Sequence, residues 1–337
     1  MKKVKSVILA IESSCDETSA SVVVNGKKIL SNIINSQVKL HSKFGGVVPE
    51  IASRKHVEAI SYVVDEALKV AGKTLNDIDA VAVTRGPGLV GSLLVGLSYG
   101  KSIAYSKNIP LIGVNHLKGH ISAAYLEHDV TYPYVSLLVS GGHTELYLVK
   151  AHDDMTLLGR TRDDAAGEAF DKASKIMGLG YPGGIVIDNL AKSGDVNFHK
   201  FPRALNCKTS FDFSFSGVKT SFRNYLLNHD KEFIDNNINS ILASFQEAIV
   251  DVLERKSFIA LKTHGVKDLV VSGGVAANSR LRERFMKRSE EEGVNVYIPS
   301  KVLCTDNAAM IGAAAHFEYV AGNFVDLTLN AVSRYYM

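Results

Sequence analysis

The chain has 337 residues, 46% of them apolar and 22% charged, with a net charge of +3. This is an ordinary globular composition of roughly two domains; the charge is too weak either to argue for a nucleic-acid partner or to exclude one. The three cysteines, Cys15, Cys207 and Cys304, are odd in number, widely spaced and without a C-x-x-C pair, which argues against a disulfide framework or a zinc ribbon.

The N-terminus begins with lysines, but its apolar run, Val7 to Ile11, is too short for a secretory signal, and Glu12 and Asp16 follow at once. No stretch approaches the ~18 apolar residues of a membrane-crossing helix. These features predict a cytoplasmic protein.

In chain order, VKSVILAIE (4–12) reads as a buried strand, short and bounded by polar residues. SASVVV (19–24) is a second strand. NGKK is an Asn-Gly hairpin turn leading to ILSNII. A helix over 47–72 stops at Gly72, a strand over 78–88 runs into a Gly-Pro turn, and 89–108 is a small-residue helix. PLIGVNH is another strand. The opening layout then recurs: YPYVSLLVSGGHTELYLVK is strand, small polar turn, strand. VKDLVVSGGVAANSRLRERF gives strand, turn and helix, and TDNAAMIGAAAHFEYV a final helix started by Thr305 or Asp306. Two α/β halves result, alike in architecture rather than in residues, with the switch between about Leu117 and Tyr134.

Candidate chemistry concentrates in three places. The S-G-G turns at Ser140–Gly142 and Ser272–Gly274 can bring backbone N–H groups up to an anion, although a tight hairpin needs the same residues. The second opens a helix in which Asn278 can reach a ligand. Neither turn fits a P-loop or a dinucleotide fingerprint. HLKGH puts His116 and His120 on one helical face. Leu117 stands where a zinc protease of the H-E-x-x-H type needs its glutamate, so the ligand spacing is kept without the base.

Such a pair is common by chance. It becomes a metal site only with a further ligand, for which Asp306 is a candidate; two histidines and a carboxylate suit iron or zinc. Asp164, Glu168 and Asp171 share a helical spacing, GLGYPGG is too rich in Gly and Pro for a regular element, and Asp188 follows it. Glu12 and Asp16 can act as a base or orient one. FPRALNCKTSFDFSFSGVKTSFRNY interleaves Phe with Arg203, Lys208, Lys219 and Arg223. That pattern suits single-stranded nucleic acid or, in F-D-F-S-F, a half-buried strand.

Together, AIESSCDETSASVV, GGVVPEIASRKHVE, TRGPGLVGSLLVG, VNHLKGHISAAYLE, LLVSGGHTELY, DDAAGEAFDKASKIMGLGYPGG, FSFSGVKT, VVSGGVAANSRLR and CTDNAAMIGAAA resemble the TsaD family, bacterial branch, over nearly the whole chain. These are tRNA N6-adenosine threonylcarbamoyltransferases. The resemblance implies an α/β, two-lobed actin/hexokinase/Hsp70-like ATPase (ASKHA) fold with duplicated hairpin-opening lobes and an interlobe nucleotide cleft. The last helix then returns to the first lobe, giving lobes of 1–117 with 306–337 and of 118–305.

The implied reaction moves threonylcarbamoyl from threonylcarbamoyl-AMP to N6 of adenosine 37, in tRNAs reading codons that begin with A, and releases AMP. The implied metal ligands are His116, His120 and Asp306, for one divalent ion, Fe(2+) ahead of Zn(2+). The adenylate would lie along Val139, Ser140, Gly141, Gly142 and His143, with Asp171, Gly184, Asp188 and Asn278. Glu12 or Asp16 would take the proton. Implied partners are tRNA, a TsaB-like paralogue and a TsaE-like ATPase. A metalloprotease and a sugar-kinase-like ATPase are the rival readings; the first leaves Leu117 unexplained and the second the metal set.

Overall fold

The apolar run after Ser6 forms β1 (Val7–Glu12), buried along its whole length. The computed structural model describes residues 5–205 and 210–335; Cys207 and Lys208 lie outside the described residues. β1 pairs antiparallel with β2 (Glu17–Val24), and β2 with β3 (Lys28–Ser36). Asn25 and Gly26 turn this second hairpin with φ of 54° and 65°, the positive pair at the centre of a turn that Lys27 N closes on Val24 O (3.2 Å) and that matches strand twist. A short helix α1 (Val38–His41) and the long α2 (Pro49–Val70) follow. β4 (Ala80–Gly86) then adds in parallel to β1. After α3 (Val90–Lys107), β5 (Leu111–Asn115) adds in parallel to β4 and leads directly into α4 (His116–Ser122).

The second half repeats this plan. β6 (Tyr134–Val139) and β7 (Thr144–Ala151) form a hairpin, and β8 (Asp154–Arg160) extends it antiparallel. Four helices come next: α5 (Ala166–Met177), α6 (Gly183–Ala191), α7 (Ser216–Leu227) and α8 (Lys231–His264). β9 (Asp268–Ser272) lies parallel to β6; after α9 (Ser279–Glu292), β10 (Asn295–Tyr297) lies parallel to β9. The sheets run β3-β2-β1-β4-β5 and β10-β9-β6-β7-β8. Each is an antiparallel meander followed by two parallel strands, so the likeness in layout is a likeness in topology. α10 (Lys301–Cys304) and α11 (Ala308–Ala321) complete the chain.

The chain divides into one unit of 1–129 with 299–337 and another of 130–298. Residues 118–129 stay with the first unit because the segment after α4 buries Leu126 in a cluster with Val23, Leu303, Ala309 and Ala313. In that unit the central strands are covered on both faces, which is why they read as continuous apolar runs. Leu9, Ile11, Val81 and Val83 pack with Ile60, Val63 and Val64 of α2 and Leu97 of α3. Ile8, Ala10, Ala80 and Ala82 face the other way, onto Ala308, Ile311, Ala314 and Ala315 of α11. Small side chains on both partners let α11 lie close to the sheet. A Cβ on Gly312 would sit 2.6 Å from Val23 Cγ2 and 2.9 Å from Val23 Cβ.

Three local expectations are corrected. α11 is capped by Asn307, whose side chain accepts from Met310 N, not by Thr305 or Asp306; the cap must immediately precede the first helical residue, and Asn is as good there as Asp. Asp164 precedes α5 instead of lying on it, and Glu168 turns back to accept from Ala165 N. F-D-F-S-F buries Phe213 and Phe215 but makes only an isolated bridge, Phe213 to Thr161, before α7 begins. No helix among the described residues is long and apolar enough to cross a membrane.

Gly312→Val forces α11 off the sheet or displaces Val23. Overpacking of this kind costs about 1–3 kcal/mol, and denaturant unfolding of the full chain should show a loss of that order.

Candidate metal centre

β5 ends where α4 begins, and Asn115 makes the switch. Its Oδ1 accepts from Leu117 N (2.8 Å) and Lys118 N (3.3 Å), capping the helix so that His116 is its first residue and His120 lies one turn on. Gly119 between them faces α11: a Cβ there would come within 2.8 Å of Ile311 Cδ1. The resulting approach of the two helices brings Asp306, just before α11, to the histidines. His116 Nε2 stands 3.5 Å and His120 Nε2 3.2 Å from Asp306 Oδ1. The rings meet edge-on with centroids 4.7 Å apart.

These separations are those of ligands around an ion. Donors about 2.0–2.2 Å from a metal stand about 3.0–3.5 Å from one another. His120 is 1% exposed, yet among the described residues its Nδ1 has no hydrogen-bond partner and its Nε2 has only the Asp306 carboxylate beside it. A buried imidazole in that state is costly, and a cation shared with His116 and Asp306 satisfies it. The donor set, one oxygen and two imidazole nitrogens, fits a divalent metal.

Behind the ligands stands Glu12, at the end of β1 and fully buried. Its Oε2 faces His116 Nδ1 at 3.2 Å and accepts from Thr84, while its Oε1 accepts from Ser14 N. A carboxylate behind a ligating histidine fixes its tautomer and leaves Nε2 for the metal. Burial opposes a charge on His116, but Glu12 and Asp306 outweigh it and push the group up from 6.5 to about 9. Burial likewise pushes Glu12 up, and His116 reverses this, holding it below its usual range. Burial keeps His120 low. Burial and the Asp16 carboxylate hold the Cys15 thiol well up, and Cys304 is buried with its Sγ 3.3 Å from Pro299 O. The Cys15 thiol offers no thiolate. Asp16 lies nearby in sequence on the β1–β2 loop, 6% exposed.

The other expected residues lie in the second unit. Ser140 N donates to His143 O (2.8 Å), and Ser140 Oγ accepts from His143 N (3.1 Å), closing the turn after Val139. Gly141 and Gly142 are exposed, and their N–H groups have no backbone partner among the described residues. The second S-G-G turn backs onto the first: Gly273 has φ 92°, and a Cβ on it would lie 2.4 Å from Val139 O.

Asp171 accepts from Gly183 N (2.7 Å), tying α5 to the start of α6 beside Gly184. One turn along α6, Asp188 accepts from Ser279 N (3.1 Å) and Ser279 Oγ (2.7 Å). Asn278 caps α9 through Leu281 N and donates to Gln246 Oε1 (2.7 Å). Of the basic residues among the phenylalanines, Arg203 pairs with Asp251 and Lys219 with Asp164; Lys208 lies outside the described residues.

A family model described as TsaD, tRNA N6-adenosine threonylcarbamoyltransferase, matches residues 28–313. The chain belongs to the TsaD family. A TsaD relative from Clostridium perfringens, a tRNA N6-adenosine threonylcarbamoyltransferase, is 56% identical over 328 residues, 97% of each chain. One of the same name from Syntrophus aciditrophicus is 56% identical over 330 residues, 98% of this chain and 97% of its own.

Among solved structures, full-length HypF in a phosphate- and nucleotide-bound form superposes with a TM-score of 0.62 at 15% identity, covering 94% of this chain and 56% of HypF. The activator of 2-hydroxyisocaproyl-CoA dehydratase from Clostridium difficile with bound ADPNP gives 0.53 at 14% identity, over 94% and 96%. At such identities the likeness shows the fold alone, the ASKHA ATPase fold.

Sequence reading missed Asn115, Thr84, Ser14 and Asn307. An Asn directly before HLKGH is a helix-start signal; the role of Thr84 carries no local signal, since it depends on the β1–β4 pairing, whereas Ser14 reaches Glu12 from only two residues away.

His120→Ala or Asp306→Ala should strip the purified protein of bound metal, read by elemental analysis, with the unfolding midpoint of the chelated protein little changed. In the chelated protein the raised pKa of His116 contributes stability that is full below pH 6.5 and is lost as pH rises through about 9. Unfolding across that window should show the decline, and Glu12→Gln should reduce it.

Proposed function

We propose that His116, His120 and Asp306 hold one divalent metal, and that the Ser140–His143 turn with Val139, Asp171, Gly184, Asp188 and Asn278 binds the adenylate of threonylcarbamoyl-AMP. The protein is a tRNA N6-adenosine threonylcarbamoyltransferase, forming threonylcarbamoyladenosine in tRNA. The observation that carries the metal assignment is the convergence of the buried His120 imidazole, an aspartate oxygen and a second histidine on one point.

A bound metal supplies a Lewis acid for substrate oxygens at positions that the three protein ligands leave open. Two histidines and one carboxylate suit Fe(2+) first and Zn(2+) second. Glu12 orients His116 by holding its Nδ1–H. With its oxygens so engaged, Glu12 serves as a positioning group, and Asp16 on the same loop is the better acceptor for the proton of the adenine amine.

The exposed N–H groups of Gly141 and Gly142 suit a phosphate. Among the described residues Asp188 accepts from Ser279 alone and keeps lone pairs for ribose hydroxyls, and Asn278 keeps one N–H. Holding the acyl-adenylate by its nucleotide end leaves the carbamoyl carbon to the incoming amine, and AMP departs with its charge met by the turn. A cytoplasmic location fits work on adenosine 37 of tRNA. The resemblance adds a TsaB-like paralogue and a TsaE-like ATPase as partners.

The test is to incubate the metal-loaded full chain and these partners with threonylcarbamoyl-AMP and unmodified tRNA, and to look for the modified nucleoside by mass spectrometry. Product is expected from the wild type and none from His116→Ala. Asp16→Asn should lower the rate without loss of metal; an unchanged rate removes Asp16 as proton acceptor.

A further inference from the structure

We infer that residues 38–46, α1 and the turn after it, are a contact surface for unpaired nucleotides of the tRNA substrate: Phe44 stacks on a base, and Lys39 and Lys43 meet phosphates. This rests on the tRNA reading above.

Phe44 is 54% exposed and makes no ring contact among the described residues. Lys39 and Lys43 are exposed and form no ion pair among the described residues. No Asp or Glu occurs between Glu17 and Glu50 in the sequence, so no carboxylate of the local chain offsets these charges. A single exposed phenylalanine is ordinary. An exposed ring next to Lys43 and five residues after Lys39, on a stretch without acids, has the chemistry of single-strand binding, where aromatic faces stack bases and cations follow the backbone.

The surface is a braced one. His41 is fully buried beneath it; its Nε2–H donates to Gln37 Oε1 (3.2 Å) and its Nδ1 accepts from Val48 N (3.3 Å). Gln37 in turn donates from Nε2 to Ala52 O (3.3 Å). The turn ends at Gly45, with φ 69° and open space where a Cβ would be. More than half of Phe44 is therefore left in water by a segment whose fold is set by other residues.

Its position suits delivery of a base to the metal set. Gln37 N donates to Asp16 O (3.0 Å), which ties the segment to the loop that begins at Glu12, the group behind His116. A protein partner is the weaker fit, because lysines are depleted from the apolar centres of protein interfaces.

The experiment measures affinity of the full-length protein for unmodified tRNA across a salt series, for wild type, Phe44→Ala, Phe44→Tyr and the double variant Lys39→Ala/Lys43→Ala. A short RNA duplex serves as the unstacked control, and unfolding midpoints check the fold. Phe44→Ala should weaken tRNA binding by about 5- to 150-fold, leave duplex binding unchanged and be restored by Phe44→Tyr. The lysine variant should lower the slope of log K against log salt by roughly 0.7 per lysine.

Binding by all variants within about two-fold of wild type overturns the inference, as does unchanged tRNA binding with lost association of a protein partner. The binding arm reads this surface whether or not transfer occurs. Absence of modified nucleoside from wild type would instead count against the proposed activity.

Discussion

The close seating of α11 on its sheet is the constraint on which the metal centre depends. Gly312 against Val23, and the alanines on both partners, set that distance. Asp306 is the residue two before this helix, so its place in space follows from how deeply the helix sits. α4 reaches α11 through Gly119 in the same way. The His-His-Asp set is thus held by small residues that touch no ligand, and the loss of a few tenths of an ångström in packing would be felt as misplaced donors.

A second feature is the division of labour among buried polar groups. Glu12 is held by Ser14 N, Thr84 and His116, so its charge is tolerable despite full burial. That charge is spent on His116, and His120 is left with only the Asp306 carboxylate beside its Nε2 among the described residues. The asymmetry between two histidines one turn apart explains why only His116 is pushed up while His120 stays low. The protease pattern's glutamate has no counterpart here: the carboxylates beside this pair come from β1, behind the first histidine, and from Asp306 before α11, not from the helix position that a general base would need.

In the second unit, polar side chains are shared between structure and ligand chemistry. Asp171, Asp188 and Asn278 each satisfy a helix start or a neighbouring backbone group. The same residues thus shape α6 and α9 and present what acceptor and donor capacity remains.

Much of this was already in the sequence. The apolar runs gave the strands because both faces of their sheets are covered. Asn-Gly gave the hairpin because only a turn with two positive φ values fits the strand twist. The spacing of His116 and His120 gave a shared helical face because period alone decides that. The cap of α11 misled, since Asp, Thr and Asn serve equally and only backbone geometry at Asn307 selects among them. F-D-F-S-F misled because alternation marks burial on one side without requiring a ladder partner.

What the sequence by itself determined is local: periodicity, turn chemistry, and the family to which the ordered blocks belong. What only the tertiary structure decided is which distant groups meet. Glu12 reaches His116 through the β1–β4–β5 order of the sheet, and Asp306 reaches both histidines through the packing of α11. Phe44 is known to be exposed only once the chain around it is folded. Such meetings are set by the summed packing of many apolar side chains, and no short stretch of residues encodes them.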